Sequence, residues 1–326
     1  MDKTKIKNIL IIRNDHIGDL ILTTSAFSAL KKEFPNSKIT VICSKINKPI
    51  IEHNKNIDEL IVFAHGKQFI KNFHKYFGVL WKLRKKKFDI GIDLRGDFLN
   101  IFFLMFMAGV KKRIGFYRKK ASKWFLDYGL KRKVEIHETK YVIDVLNKGL
   151  GLKMSYSEPE IATTNSDKKE TEEFIKKNNL KEFICIVPDS GHPLKQWPLD
   201  KFDKIIKFLK KEYPNQRIVL VGGIKEKLDW LKKRNPECAM LCRGNLRMVY
   251  HLFKKASLVL SLDVGPMHIA WVGKSKLLGL ILKFSEPSIK NIVPLGKNSK
   301  YLLEKEVDKK ITVSEVKKEI NKILKK

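Results

Sequence analysis

Short apolar runs, each closed by a loop and followed by an amphipathic stretch, recur along the whole chain, and this rhythm restricts the fold more than any other feature. The run 9–12 (Ile-Leu-Ile-Ile) leads into a loop, 13–18, and a helical stretch, 20–34, that Pro35, Asn36 and Ser37 break. Runs 39–43, 60–63 and 90–94 read likewise as buried strands. Strands linked through helices pair in parallel and need helical cover on both faces. A second set follows: strand 183–187, loop 188–198, helix 199–213; strand 217–221, loop 222–223, helix 225–233; strand 258–262, loop 263–267 and a helix from His268. An amphipathic helix, 313–324, closes the chain. Between the sets, 155–165 is polar and non-periodic, and 170–177 reads as a short helix.

A chain of 326 residues suits two domains. The expected architecture is α/β: a Rossmann-like domain over 1–160, a linker over 155–180, and a Rossmann-like domain over 181–326. The two domains are expected to face each other across a cleft, with the last helix packing back on the N-terminal domain. Ligands of such sheets bind at the carboxyl ends of the strands. That directs attention to the loops after Ile12, Leu94, Val187, Val221 and Leu262. Neither a GxGxxG nor a GxxxxGK[ST] signature follows any strand.

The formal net charge is +32 and suggests anionic partners. Residues 1–160 carry +16 and the remainder +16, which reads as a Lys-rich solvated surface. Only ten of the 67 basic residues are Arg, the residue of phosphate forks and nucleic-acid sites, so nucleic acid is not an expected partner. Cys43 and Cys185 lie in apolar strands and read as core residues. Cys238 and Cys242 have no matching His/Cys pair, so no metal site is expected. The N-terminus lacks a signal-peptide pattern, and the longest apolar run, 98–110, is shorter than the ~20 residues of a membrane span. The expected location is cytoplasmic. Basic residues at 111–113 and 118–120 flank the 98–110 run, which reads either as a buried helix or as a docking element for an anionic membrane.

Four loops carry the candidate chemistry. In Arg13-Asn14-Asp15-His16-Ile17-Gly18-Asp19, Asp19 begins a helix and is either its N-cap or a general base. In Pro188-Asp189-Ser190-Gly191-His192-Pro193-Leu194-Lys195, small residues and a lysine could cradle an anion, or Lys195 is a surface lysine. Gly222 and Gly223 permit close approach of a nucleotide, and Glu226 is either a ribose ligand or a first-turn helix residue. In Asp263-Val264-Gly265-Pro266-Met267-His268, a helix N-terminus offers an anion site, and His268 is either a phosphate donor or structural.

Taken together and in this order, these loops resemble glycosyltransferase family 9, the ADP-heptose:lipopolysaccharide heptosyltransferases. Ile17-Gly18-Asp19 matches its IGD, and Asp93-Leu94-Arg95-Gly96 its DLxG. Lys112-Arg113-Ile114-Gly115-Phe116 matches its RRIGF, and Lys195-Gln196-Trp197-Pro198 its KRWP. Gly222, Gly223 and Glu226 match its GGxxE, and Asp263 with Gly265-Pro266-Met267-His268 its D[ST]GPMH. The resemblance implies a GT-B fold and inverting, metal-independent sugar transfer without a cofactor. It implies Asp19 as catalytic base and Lys195 as the residue that stabilises the leaving diphosphate. Ser190, Lys195, Gly222, Glu226, Asp263, Gly265, Pro266, Met267 and His268 fall on donor-binding positions for ADP-heptose. Arg13, Asp93, Arg95 and Arg113 fall on the acceptor side, where a lipid-linked, phosphorylated glycan would sit at the inner membrane face. The chain departs from the family at Val264, at Asp189 and in the segment Lys283-Phe284-Ser285-Glu286-Pro287. These departures keep two alternatives open: another nucleotide-sugar donor, or an impaired homologue that only binds nucleotide or glycolipid.

Overall fold

The computed structural model describes residues 2–63, 73–131, 136–282, 289–304 and 310–325. The segment 283–287 therefore lies outside the described residues. The chain forms two compact units, Met1–Ala162 with Lys290–Ile292, and Thr163–Ile289 with Val293–Lys326.

In the first unit the order is β1 (Asn8–Arg13), α1 (Ile17–Ile21), α2 (Ser25–Glu33), β2 (Lys38–Cys43), α3 (Lys48–Ile51), β3 (Glu59–Val62), α4 (Phe73–Lys86), β4 (Ile90–Asp93), a helix over Asn100–Phe106, β5 (Lys112–Tyr117), α5 (Lys120–Lys123), β6 (Tyr128–Lys131) and α6 (Glu138–Leu150). The six strands are all parallel, in the order β3-β2-β1-β4-β5-β6. The single helix expected over 20–34 is two helices. Thr23 and Thr24 donate their hydroxyls back to the carbonyls of Leu20 and Ile21 at 2.8 Å each, and the chain restarts at Ser25. The apolar run 98–110 is mainly a core layer. Met107 N bonds to Phe102 O (2.8 Å) and Val110 N to Met105 O (3.0 Å), and this wide winding buries Ile101, Leu104 and Met105 while leaving Phe106 and Met107 exposed.

The remainder runs α7 (Asn165–Lys177), β7 (Glu182–Val187), α8 (Leu199–Glu212), β8 (Gln216–Gly222), α9 (Lys225–Arg234), β9 (Ala239–Cys242), α10 (Leu246–Lys255), β10 (Leu258–Leu262), α11 (Gly265–Val272), β11 (Leu277–Ile281), α12 (Ile289–Ile292), β12 (Ser299–Leu303) and α13 (Val313–Leu324). Its six parallel strands are ordered β12-β11-β10-β7-β8-β9. This is the winding of the first sheet repeated, so each unit has one point where the strand order reverses: between β1 and β4, and between β7 and β10.

The segment expected as a linker is divided between the units. Glu160 donates its amide to Thr24 Oγ1 (2.9 Å) in the first unit. α7 opens the second with a Thr164–Asp167 capping box, and Asp167 is bonded to Arg247 Nε (3.0 Å) and Asn245 Nδ2 (2.8 Å). The closing helix packs on α8 of its own unit. Val316 and Ile320 of α13 are buried with Ile205, Ile206 and Leu209 of α8, and Tyr213 donates to Asn321 Oδ1 (2.6 Å). Its apolar stripe matches the face that α8 leaves outward.

Candidate functional site

The candidate residues, Arg113 excepted, gather at the carboxyl edges of the two sheets, beside the reversal points. In the first unit, β1 ends on Arg13, which is fully buried. A buried guanidinium must find acceptors for its fork of donors. Here Nε faces Asp15 Oδ1 (3.1 Å), Nη2 faces Asp19 Oδ1 (3.0 Å), and Nη1 faces Glu138 Oε1 (3.3 Å) and the Leu94 carbonyl. Burial by itself opposes the Arg13 charge, but the three carboxylates outweigh it and push its pKa up. Burial raises the pKa of Asp15, Asp19 adds to the rise, and Arg13 opposes it. Asp19 is about a quarter exposed and its other oxygen, Oδ2, lies 3.3 Å from Nδ1 of the exposed His16. That hydrogen bond raises the His16 pKa. The N-cap position of α1 belongs to His16, so Asp19 stands one turn in, tied to Arg13.

Beside β1, the end of β4 supplies a second set. Buried Asp93 accepts from the amides of Arg95 (3.1 Å) and Gly96, and from Asn100 Nδ2 (3.1 Å). Burial is the main cause that lifts its pKa to about 7. Asn100 also pairs with Asn14 (3.1 Å), whose Oδ1 meets Arg95 Nη1 (3.4 Å). Gly96 adopts φ +76°, a conformation that suits glycine in so tight a turn. Arg95 is thus aimed over the same rim as Asp19.

This geometry revises the expected acceptor group. Arg13 and Asp93 have no exposed surface, so they shape the rim rather than touch a substrate. Arg113 sits near the amino end of β5, away from this rim, where it bonds Asp127 (3.0 Å) and the carbonyls of Phe125 and Val110 (2.8 Å each). Of the four residues only Arg95 is placed to reach a ligand. Glu138 escaped sequence reading. Its only signal is a carboxylate in the first turn of a helix, α6, where it resembles any surface glutamate. Asp15 lies in the first loop, where neither its spacing nor its neighbours distinguish it.

In the second unit, the loops after β7 and β10 meet through Lys195, whose Nζ lies 2.5 Å from Asp263 Oδ2. Asp263 is mostly buried and Lys195 about a quarter exposed, so the pair holds a partly accessible cation at the reversal point. Ser190 is buried, and its Oγ accepts from His192 N (3.1 Å) while its carbonyl accepts from Gln196, which fixes the loop. Trp197, buried, donates to Ile311 O (3.0 Å) as a core residue.

At α11, the anion cradle expected from residues 265–267 is narrower than anticipated. Pro266 has no N–H, and Met267 N is spent on Val264 O (2.9 Å). Gly265, at the first helical position, is the one of the three whose amide points out of the helix. The Met267 side chain is buried, and a Cβ on Gly279 would come within 3.1 Å of its sulfur. His268 is buried as well.

Asp189, one of the departures from the family, is engaged within the chain. Its Oδ2 accepts from the amides of Gly223 (2.8 Å) and Ile224 (2.6 Å), at the start of α9. It thereby fills the anion position of the Gly222-Gly223 turn with the chain's own carboxylate. Gly222 is required here, because a Cβ would lie 2.6 Å from that oxygen. Glu226 stands exposed on the first turn of α9. Among the described residues no group of three or more His, Cys, Asp or Glu is arranged to hold a metal ion.

The profile of glycosyltransferase family 9 (heptosyltransferase) matches residues 78–322. The lipopolysaccharide core heptosyltransferase OpsX of Haemophilus influenzae is 23% identical over 284 residues, 84% of this chain and 78% of that protein. The family 9 glycosyl transferase structure from Veillonella parvula is similar at a TM-score of 0.80 and 22% identity, covering 98% of this chain and 97% of that one. The Escherichia coli heptosyltransferase WaaC with ADP-2-deoxy-2-fluoro heptose is similar at 0.74 and 19%, covering 97% and 99%. These likenesses assign the GT-B fold. With the profile matched over most of its length, the chain belongs to glycosyltransferase family 9 and is a glycosyltransferase.

Proposed function

We propose that the chain transfers heptose from ADP-heptose to a lipid-linked, phosphorylated inner-core acceptor of lipopolysaccharide, with inversion and without a metal ion, at the cytoplasmic membrane face. The observation that carries the reading is Asp19, held by the buried Arg13 at the carboxyl edge of the first sheet with one oxygen toward the exposed side. The names of the similar proteins support heptose, the lipopolysaccharide core and ADP.

In this reading Asp19 takes the proton of the acceptor hydroxyl. That oxygen bonds to the anomeric carbon as the bond to the diphosphate breaks, and the electron pair leaves with ADP. Arg13 and His16 each hold one oxygen of the Asp19 carboxylate and fix its orientation. A carboxylate suffices as base when the hydroxyl proton is lost to it late, after the oxygen has begun to bond to an oxocarbenium-like centre. Charge developing on the diphosphate is met by Lys195, the Gly265 amide and His268, while Asp263 holds Lys195 in place. Ser190, Gly222 and Glu226 bound the nucleotide, and Arg95 takes an acceptor phosphate. The impaired-homologue alternative loses weight because the Asp189 charge is already satisfied by two amides.

The test is transfer from ADP-heptose to heptose-deficient lipopolysaccharide. Asp19→Asn should lower kcat at least ~100-fold while ADP binding is unchanged. Turnover within about tenfold of wild type would reduce Asp19 to a structural carboxylate. Lys195→Ala should raise the donor KM and slow transfer; full rate at unchanged KM would remove Lys195 from the site. Thermal shifts with ADP, UDP, GDP and CMP test the base, since a ligand of the native state alone raises apparent stability.

A further inference from the structure

Positive charge is shared equally between the halves of the chain but is sharply concentrated within the first. Residues 60–88 hold eight Lys or Arg and residues 98–126 hold seven, and neither stretch contains an Asp or Glu. These two stretches supply all but one unit of the +16 carried by residues 1–160. A generally solvated lysine surface interleaves its acids, as the rest of that half does.

The structure lays α4 of the first stretch and the Asn100–Phe106 helix of the second over one face of the first sheet. Tyr76, Leu80 and Leu83 of α4 share a core layer with Ile101, Leu104 and Met105 of the Asn100–Phe106 helix. Ring contacts cross the layer from Tyr76 to Phe103 (5.7 Å), to Phe102 (4.9 Å), to Phe106 (5.9 Å) and to Phe125 (5.1 Å). Outward, the same layer shows Phe77 and Trp81 one turn apart on α4, then Phe106, and then Trp124 at 83% exposure. Exposed Lys82, Arg84 and Lys85 border the first pair, and Lys119, Lys120 and Lys123 border Trp124. Lys85 Nζ lies 3.3 Å over the Trp81 ring.

We propose that this aromatic and basic face of the first unit docks on an anionic lipid surface. Trp81, Phe106 and Trp124, exposed among lysines, form an aromatic and basic surface of the kind that marks a docking site. Indole rings favour the depth of lipid headgroups, and lysines reach past them to anionic phosphates. Twelve of the fifteen basic residues are Lys, which suits a diffuse field of phosphates better than the forked recognition typical of nucleic acid. Among the described residues no helix is long and apolar enough to cross a membrane, so the contact is peripheral. α5 follows the carboxyl end of β5, the end of the sheet that carries Asp19 and Arg95. The docking face extends the membrane-side reading above; vesicle binding is measured without substrate, so failure of transfer and failure of docking are distinguishable.

The experiment is flotation of the full chain with vesicles of phosphatidylcholine alone or mixed equally with phosphatidylglycerol. Wild type should float with the mixed vesicles, not with phosphatidylcholine, and release in high salt. Trp81→Ser with Trp124→Ser, and separately Lys82→Glu with Lys85→Glu, should each lower the partition constant at least ~10-fold at unchanged Tm. All four positions are exposed, so folding is spared, and Tyr301→Ser, an exposed ring of the second unit, should leave partitioning unchanged. Equal binding to both vesicle types, or patch variants that float like wild type, would overturn the proposal. So would tight retention on single-stranded RNA without flotation.

Discussion

Arg13→Met is the perturbation whose cost follows most directly from the structure. The guanidinium is fully buried and faces Asp15, Asp19 and Glu138 at 3.0–3.3 Å, and two of those three carboxylates are themselves nearly inaccessible, at 7% and 2%. Methionine fills most of the volume, so cavity formation is a minor part of the cost. The larger part is the removal of the cation that neutralises buried anions. Breaking a buried pair this way costs about 3–5 kcal/mol, a large share of the ~5–15 kcal/mol that holds a domain together. Linkage gives a second signature. Asp15 is already shifted upward by burial, with Arg13 opposing the shift. Without Arg13 the buried Asp15 carboxyl binds its proton still more tightly in the folded than in the unfolded state. Its contribution is then full below the unfolded pKa and is lost as pH rises through the raised folded value. The deficit of the variant should therefore grow from acidic to neutral pH. Urea unfolding of wild type and variant across that range measures it, and Arg13→Lys, with one ammonium for three partners, should recover only part of the loss. A deficit below about 1 kcal/mol that does not change with pH would refute the reasoning.

Asp93→Asn tests the second buried carboxyl. Its pKa rises from 3.8 to about 7, so wild-type stability from this group is complete below pH 3.8 and is lost as pH rises through about 7. The Asn variant does not titrate there, so the stability difference should drift in its favour by up to ~4 kcal/mol over that window; a constant difference from denaturant midpoints would contradict the assignment. Gly222→Ala places a Cβ 2.6 Å from the Asp189 carboxylate and should cost about 1–3 kcal/mol. Combining it with Asp189→Gly should cost less than the sum of the two, since the clash is gone; strict additivity in a double-mutant cycle would show that the two do not meet.

Much of the site was legible because loops at strand ends carry chemistry, and strand ends are local. The runs at 9–12, 183–187 and 258–262 lie within strands that end one residue later at Arg13, and at Val187 and Leu262 themselves. Asp19 and Lys195 were identifiable from the loops that follow. Glu138 was not, because its partner Arg13 lies on a strand that only the folded sheet brings beside α6. Arg113 misled for a related reason: its motif lies in the correct stretch, but at the amino end of β5. The widened winding of 100–106 and the split at Thr23 and Thr24 were also hidden, since side-chain and i→i+5 bonds leave the apolar count unchanged.

The sequence by itself determined the alternation of strand and helix, the two-unit division and the family, because the period of apolar residues and the order of short motifs are properties of neighbours in the chain. Only the tertiary structure decided that Arg13 is a buried tie rather than a ligand, that Asp189 fills its own chain's anion position, and that α4 and the Asn100–Phe106 helix, from two acid-free stretches, share one face. Each of those depends on which residues distant in sequence share a low-dielectric interior or a common surface, and parallel pairing through long crossovers sets that only once the sheet has closed.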